Sequence, residues 1–399
     1  MHAVQVLQKC LPTVFSRMHA VRAAALLGAV RALLTSRRLI LIELARAWPG
    51  AERVRAPLKC LDRLLGNIHL QQERVELYAA MADWLIRHDR PIIVIDWSEL
   101  RDDNRWHVLR AGIPVGGRTL TILEQVYPQS LQGSPRAEKP FLKQLQTLLP
   151  PNIKPILVTD AGFRSPWFRA VSKLGWDYVG RLRHRTLIKL ECTGGWFDNR
   201  LLYARASRTA RRFSNVTLVA DAPWSSDLVL YQRPKRGRYC LTRRGARSQS
   251  RRSVKAEARE RDPWLLVTSP GLADLTAKRI VKIYAKRMQI EASFRDLKCA
   301  RYGCAFDYSL TRRPDRLLIL LLIHALATFV AWLMAMSLTS DTDVMLGGII
   351  SNRARRHYSL LRLGWETLRR YQPPDHYSTL RRTFNHPPDI LLQQLDLPT

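Results

Sequence analysis

The sequence predicts an α/β chain in which a helical amino-terminal region precedes a β-meander and then alternating helices and strands. Short apolar runs of the kind that form buried strands end in acids, at Asp96 in PIIVIDWSEL and at Asp160 in KPILVTDAGF. Between them, WHVLRAGIPV and RTLTILEQVYP flank Gly116 and Gly117, which predicts an antiparallel hairpin closed by a glycine turn. Three strands therefore precede the second acid.

Helices are predicted where apolar residues recur at helical spacing between prolines and glycines. Four such stretches fall in the first ninety or so residues: 17–34, 39–48, 57–65 and 71–87. The turn at Pro49 and Gly50 makes the second and third a candidate helix-turn-helix, although that turn is long for the motif. The alternative is a helical cap on the core. Four basic residues would be available to nucleic acid there: Arg53, Arg55, Lys59 and Arg63.

Two further helices are predicted in the α/β region. The first covers 136–149, and prolines 150 and 151 end it. The second covers 165–174, with Ser165 as N-cap and Pro166 in the first turn. Asp160 is therefore expected in a strand-to-helix loop, before the strand-like WDYVGRLR.

Residues 186–263 do not fit the α/β alternation and predict a β-rich insertion, with strand-like VTLVA and LVLYQR. Between Arg233 and Arg261 the chain has twelve Lys or Arg against two acids, Glu257 and Glu260, a local net charge of +10. We expect this insertion to face DNA. The alternative for its tip, SQSRRS, is a solvated and disordered charge run.

The stretch YAKRMQIEASFRDLK carries the most informative spacing. At ~100° of rotation per residue, Arg287, Glu291 and Lys298 fall within about 40° of one another, at about 300° to 340° from Tyr284. This polar stripe borders an apolar face, as expected for a carboxylate that holds a metal beside a phosphodiester. The alternative is a surface helix in which Arg287 and Glu291 form an ordinary ion pair.

Three acids suit metal-ion catalysis. Two Mg²⁺ ions held by carboxylates and water can activate a nucleophile and stabilise a leaving oxygen. Asp96, Asp160 and Glu291 supply oxygen ligands that are ionised at neutral pH. An exposed acid at a strand end is the plain alternative for either aspartate alone, but it is a weaker explanation of the whole set.

These motifs resemble the DDE transposases of bacterial insertion sequences, in the insertion-sequence-four family that carries Y-x2-R-x3-E-x6-K. The resemblance covers most of the chain, including VIDWSELRD, VTDAGFRSPWF, KLGWDYVGRLR, IYAKRMQIEASFRDLK and SLLRLGWETLRR. It implies an RNase H-like catalytic core in which Asp96, Asp160 and Glu291 bind two Mg²⁺ ions, for which Mn²⁺ would substitute. It also implies cut-and-paste DNA transposition through nicking, hairpin formation, hairpin opening and strand transfer.

The same resemblance assigns supporting roles. Tyr284, Arg287 and Lys298 match positions that hold phosphates near the scissile bond, as a phenol and two cations would. Trp264 matches a tryptophan that stacks on a flipped base, and the alternative for it is a core tryptophan that opens a strand. The amino-terminal region would recognise the terminal inverted repeats.

Composition requires a polyanionic partner, because 65 Lys and Arg against 33 Asp and Glu give a net charge of +32. We expect binding to double-stranded DNA, both transposon ends and target, that is steeply salt dependent. A homodimer is expected at least in the synaptic complex, which joins two ends. No nucleotide cofactor is expected.

One segment favours another class of protein. Residues 317–338 are apolar, carry no charge and are long enough to span a bilayer, with arginines before them. We expect a buried core helix, with His324 as a core histidine rather than a ligand, and no membrane association. The six cysteines lack paired zinc spacing and the start lacks a signal pattern, so a cytoplasmic, nucleoid-associated protein is expected.

Two other functions remain open: a metal-dependent nuclease of the same fold, and a repurposed transposase that only binds DNA. The expected organisation has five segments, with a helical C-terminal part. They are 1–90 (helical, end-binding), 91–185 (first part of the core), 186–263 (basic β-rich insertion), 264–340 (second part of the core) and 341–399 (helical).

Overall fold

A computed structural model gives the fold and describes residues 3–191, 194–234 and 262–336, residues 359–370, and short pieces between 242 and 257. The chain divides into two compact units. The first consists of 1–155 and 286–399, and the second of 156–285. The expected mixture of strands and helices is confirmed in outline, while the five segment boundaries stay a prediction.

The first unit begins with six helices. They are α1 (Ala3–Cys10), α2 (Pro12–Arg17), α3 (Ala20–Ser36), α4 (Leu41–Arg46), α5 (Arg55–Leu65) and α6 (Ile68–Leu85). The last four correspond to the four predicted helices, whereas α1 and α2 were not predicted. Asn67 caps α6 through its side chain, which accepts a hydrogen bond from the N–H of Leu70 at 2.9 Å.

Three antiparallel strands follow in the first unit: β1 (Ile92–Glu99), β2 (Trp106–Pro114) and β3 (Thr119–Pro128). The predicted glycine turn joins β2 to β3, and both glycines need positive φ, +83° at Gly116 and +99° at Gly117. Helix α7 (Pro135–Leu148) comes next and agrees with the predicted helix within one residue at each end.

Chain from the carboxyl-terminal half completes the first unit. The helices among its described residues are α10 (Met288–Lys298), α11 (Pro314–Met336) and α12 (Leu360–Arg370). Helix α11 is the one helix in the described ranges long and apolar enough to cross a membrane, with mean hydropathy 2.5, yet 94% of its most apolar window is buried inside the protein. This burial favours the predicted core helix. His324 is buried within it, and burial lowers its pKa to about 3, helped by the nearby charge of Arg110.

In the part of the second unit that the structure describes, there are seven strands and two α-helices with defined bounds. In chain order they are β4 (Ile156–Thr159), α8 (Ser165–Lys173), β5 (Asp177–Arg181), β6 (Leu187–Lys189), β7 (Phe197–Asp198), β8 (Arg211–Leu218), β9 (Trp224–Tyr231), β10 (Trp264–Thr268) and α9 (Ala277–Ala285). The strand order is β4-β5-β10-β9-β8-β6-β7, in which only β4 and β5 pair in parallel. The short strands β6 and β7 were not predicted.

The insertion is β-rich where the structure describes it, through β6 to β9. Most of the basic run from 233 to 261 lies outside the described residues. Its tip, 248–253, is described except for Arg252, and there the Ser250 hydroxyl donates to that of Ser253 at 2.8 Å. At α8, the predicted cap is wrong by one residue: Arg164 occupies the N-cap position, with Ser165 and Pro166 in the first turn. The proline still fixes the start of the helix, because its ring presets a helical φ and needs no N–H partner.

Candidate active site

Asp96 lies within β1, where its carboxylate is largely buried. The strand was expected to end at Asp96, but it continues to Glu99, because residues 97–99 keep pairing with β2 as far as Glu99 opposite His107. Asp96 faces Arg110 across the two strands. Its Oδ1 accepts a hydrogen bond from the backbone N–H of Trp97 at 2.9 Å, which fixes one carboxylate oxygen.

Arg287 joins Asp96 to Glu291. Its Nη1 lies 2.6 Å from Oε1 of Glu291 and 3.7 Å from Oδ2 of Asp96. The side chains of Arg287 and Asp96 are 13% and 11% exposed, whereas that of Glu291 is 43% exposed. Two acids that are far apart in the sequence therefore share one cation at the edge of solvent.

The predicted continuous helix through this motif is interrupted. Helix α9 ends at Ala285 and α10 begins at Met288, with a tight turn between them, in which the N–H groups of Gln289 and Ile290 bond back three residues. The intervening residues include neither proline nor glycine, so the local sequence carries no sign of the break. Tyr284 consequently belongs to the second unit and the other three motif residues to the first.

Glu291 occupies the first turn of α10, where the helix dipole favours a negative charge. Lys298 ends the same helix and is half-buried. Burial lowers the pKa of Lys298, and the carboxylates of Asp307, Glu99 and Asp102 oppose that shift. The ammonium group therefore lies among acids in the DNA-free protein.

Asp160 follows β4 directly, as predicted. All four residues of β4 are buried, and Asp160 itself is half-buried at the carboxyl end of the strand. Its Oδ1 accepts a hydrogen bond from the N–H of Gly162 at 2.8 Å, which orders the loop that leads to α8. This places Asp160 in the strand-to-helix loop of the second unit.

Trp264 and Tyr284 pack against each other in the second unit. Trp264 opens β10 and is 8% exposed, and Tyr284 in α9 is 3% exposed. Their rings meet edge to face, with centroids 4.8 Å apart. The guanidinium of Arg233 lies 5.4 Å from the Trp264 ring centre. In this state Trp264 is a strand-opening core tryptophan whose ring also meets a cation.

A buried charge network next to Asp96 was not predicted. Arg110, opposite Asp96, pairs with Glu124 at 2.7 Å, and both side chains are within 1% of complete burial. The Tyr78 hydroxyl donates to Glu124 at 2.6 Å; burial first, and then Glu124, raises the pKa of Tyr78 well above its ordinary value. Arg110 also lies over the ring of Phe294 in α10, at 4.7 Å. The sequence feature that could have revealed this network is the pair of opposite charges at facing positions of β2 and β3.

The donor set at Asp96 and Glu291 suits a divalent cation, because both are carboxylates and together they already hold one cationic group. Among the described residues, no three His, Cys, Asp or Glu side chains form a metal-binding group. The structure thus brings together two of the three predicted acids, with Arg287 between them.

No curated protein matches the chain. Among solved structures, a piggyBac transposase synaptic complex with hairpin DNA is similar, with a TM-score of 0.41 and 13% identity over 100% of this chain and 83% of that chain. Residues 87–330 match the transposase DDE domain. Since that match includes more than half of the 399 residues, the chain belongs to the transposase DDE domain family, whose members are enzymes that act on DNA with divalent metal ions.

Proposed function

We propose that this enzyme is a cut-and-paste DNA transposase of an insertion sequence, of the insertion-sequence-four family with the Y-x2-R-x3-E-x6-K motif. The observation that carries the proposal is the pairing of Asp96 in β1 with Glu291 in α10 through Arg287. The acids of that pair are two of the three that the sequence singled out, and they lie inside the family match.

Asp96, Asp160 and Glu291 would hold two Mg²⁺ ions, with Mn²⁺ as a substitute. Such ions activate a hydroxyl nucleophile and stabilise the leaving oxygen of a phosphodiester. The carboxylate of Asp96 supports this role because a backbone N–H fixes its orientation and the surrounding strand is paired with β2. Glu291 supports it through its exposure, which leaves room for DNA and water.

The proposed reaction begins with hydrolysis that nicks the transposon end and frees a 3′ hydroxyl. That hydroxyl attacks a phosphodiester of the opposite strand, which forms a hairpin and releases the flanking DNA with a 3′ hydroxyl. Water hydrolyses the hairpin and frees the 3′ hydroxyl again, which then attacks a phosphodiester of target DNA and displaces its 3′ oxygen. Arg287 and Lys298 would hold phosphates with Tyr284, and Trp264 would stack on a flipped base. The rings of Tyr284 and Trp264 pack against each other in the DNA-free protein, so both side chains would have to rearrange to bind DNA.

The amino-terminal helices are proposed to read the terminal inverted repeats. Helix α5 supports this, because Arg55, Lys59 and Arg63 are exposed at a spacing of four residues and so share one face. Arg53 is exposed just before the helix. A homodimer in the synaptic complex and a nucleoid-associated location in the cytoplasm complete the proposal.

The deciding experiment is incubation of the purified protein with Mg²⁺ and a labelled duplex that carries a transposon end, followed by a denaturing gel. The native protein should produce a nick and then a hairpin. Glu291→Ala, Asp96→Ala and Asp160→Ala should each abolish cleavage yet retain end binding, because the acids serve chemistry rather than affinity.

The matched control is Asp296→Ala. Asp296 lies on the same helix as Glu291 but pairs with Arg118. Cleavage by Glu291→Ala at the native rate would refute the assignment of that acid. Nicking by the native protein without strand transfer would instead identify a nuclease, and binding without cleavage would identify a DNA-binding protein.

A further inference from the structure

Arg287 occupies the position between the two carboxylates that the proposed function gives to a metal. One atom, Nη1, is within 2.6 Å of Glu291 and 3.7 Å of Asp96, so a single nitrogen faces both acids. A guanidinium carries one positive charge, which offsets part of the charge of two nearby carboxylates, and hydrogen bonds to charged partners are strong. In the DNA-free protein, this side chain is the counter-ion of the acidic pair.

We propose that Arg287 is an internal competitor of the metal: a divalent cation can bind Asp96 and Glu291 fully only when the guanidinium moves away from them. The inference rests on the proposed function, since it takes both acids as metal ligands. It adds that one arginine links metal binding to DNA binding, because the displaced guanidinium becomes available to a phosphate.

The Arg287 guanidinium and a divalent cation cannot both lie close to the two carboxylates, because both are positively charged. A guanidinium held between the acids repels an approaching divalent cation and also uses the oxygen atoms that the cation needs. Glu291 is 43% exposed, so a cation from solvent can reach that ligand directly. The competing arginine therefore lowers the metal affinity of the free protein.

Arg287 is also placed where its side chain can change partners. It stands at the N-cap position of α10, with backbone angles of −52° and −34° that continue into the helix. A long side chain can reorient from that fixed backbone while Glu291 stays in the first turn. A DNA phosphate that attracts the guanidinium would leave both carboxylates to the metal, and by linkage the metal would strengthen phosphate binding equally.

The test measures Mn²⁺ affinity in the full-length protein without DNA, from the electron paramagnetic resonance signal of free aqueous Mn²⁺. Arg287→Gln removes the competing charge and should bind Mn²⁺ about tenfold more tightly than the native protein, a change within the ~5- to 150-fold range typical of coupled sites. Arg287→Lys keeps the charge but not the planar geometry, and should fall between them.

The matched control is Arg118→Gln, which removes the same charge from an ion pair with Asp296 on the same helix. It should leave the Mn²⁺ affinity near the native value. Equal or weaker Mn²⁺ binding by Arg287→Gln would overturn the inference, because an arginine that only orients the acids would help the metal. An equal gain in Arg118→Gln would also overturn it, since net charge alone would then explain the effect.

Glu291→Gln separates this inference from the function on which it rests. That variant should lose most of the specific Mn²⁺ binding. Unchanged binding in Glu291→Gln would refute the proposed metal site, and the inference with it. Loss in Glu291→Gln together with no gain in Arg287→Gln would refute the inference alone.

Discussion

At the residue scale, the pair of Arg110 and Glu124 is positioned to hold Asp96 in place. Arg110 faces Asp96 on the neighbouring strand and is fully buried, with Glu124 as its counter-ion on the next strand. Its guanidinium also covers Phe294 of α10. The same buried side chain thus contacts the strand that carries Asp96 and the helix that carries Glu291, so packing of the network should fix the distance between the two acids.

Glu124→Gln tests that network. The substitution leaves the charge of Arg110 buried without a charged partner, and breaking a buried pair in this way costs ~3–5 kcal/mol. We expect the free energy of unfolding, measured by urea denaturation, to fall by about that amount. The control is Arg313→Gln, whose pair with Asp315 is solvent-exposed, and no measurable change is expected there. Similar losses in both variants would mean that the buried pair has no special role.

His324 gives a prediction about pH. Its pKa is lowered to about 3 in the folded protein by burial, and its Nδ1 has no hydrogen-bond partner among the described residues. The unfolded chain, with a pKa near ~6.5, therefore takes up the proton first as the pH falls. Stability from the neutral His324 is complete above pH ~6.5 and is lost as the pH falls towards about 3.

The measurement is the difference in unfolding free energy between the native protein and His324→Leu from pH 7.5 to 4. The native protein should lose up to ~1.4 kcal/mol more than the variant for each pH unit below ~6.5. Parallel pH profiles would show that His324 is protonated, or hydrated, in the folded state.

At the element scale, α11 and α12 approach so closely that only glycine fits between them. A Cβ on Gly364 would lie 1.6 Å from the backbone oxygen of Ala331, and backbone atoms cannot move aside as a flexible side chain can. Glu366, two residues further along α12, also forms an ion pair with Arg37 at 2.9 Å. Helix α12 is thus held by both close packing and charge.

Gly364→Ala should separate the two helices. Overpacking of this kind costs ~1–3 kcal/mol, so we expect a lower thermal midpoint and weaker protection of α12 backbone amides in hydrogen exchange. Gly66→Ala is the control, since the nearest atom to its added Cβ, apart from its chain neighbours, is Nη1 of Arg316 at 3.6 Å. An equally stable Gly364→Ala protein would show that the helices can move apart freely.

The elements that the sequence predicted well are those fixed by local geometry. The hairpin at Gly116 and Gly117 follows from positive φ, and α7 follows from prolines that bound a regular apolar pattern. The break between α9 and α10 has no local cause and must come from tertiary packing, so periodicity alone extended one helix through it.

The acids of the candidate site were likewise predicted from local sequence patterns. Asp96, Asp160 and Glu291 were identifiable because each stands beside an apolar pattern that defines a buried element. The position of Arg287 between two acids could not be identified from the sequence. Its ion pair with Glu291, four residues away, is only one part of that contact, and Asp96 comes from another element. Burial of Trp264 and Tyr284 likewise depends on packing that spacing does not encode.

At the scale of the whole molecule, charge governs how the protein meets DNA. Because the protein has a net charge of +32, its binding releases counterions from the DNA phosphates, whatever the sequence of the DNA. Affinity alone therefore cannot identify the surface that recognises transposon ends. The salt dependence can, because each phosphate contact that is lost reduces the slope of log affinity against log salt by ~0.9.

The last prediction uses that slope to locate the end-binding face. Replacing Arg55, Lys59 and Arg63 of α5 by glutamine should reduce the slope for a duplex with a transposon end by up to ~2.7, and should remove most of its preference over random duplex. The control replaces three exposed basic residues of α7, Arg136, Lys139 and Lys143, and so removes the same charge. It should leave the preference intact, because α7 is not among the helices proposed to read the end. Equal losses in both variants would contradict recognition by α5 and leave the overall charge as the source of binding.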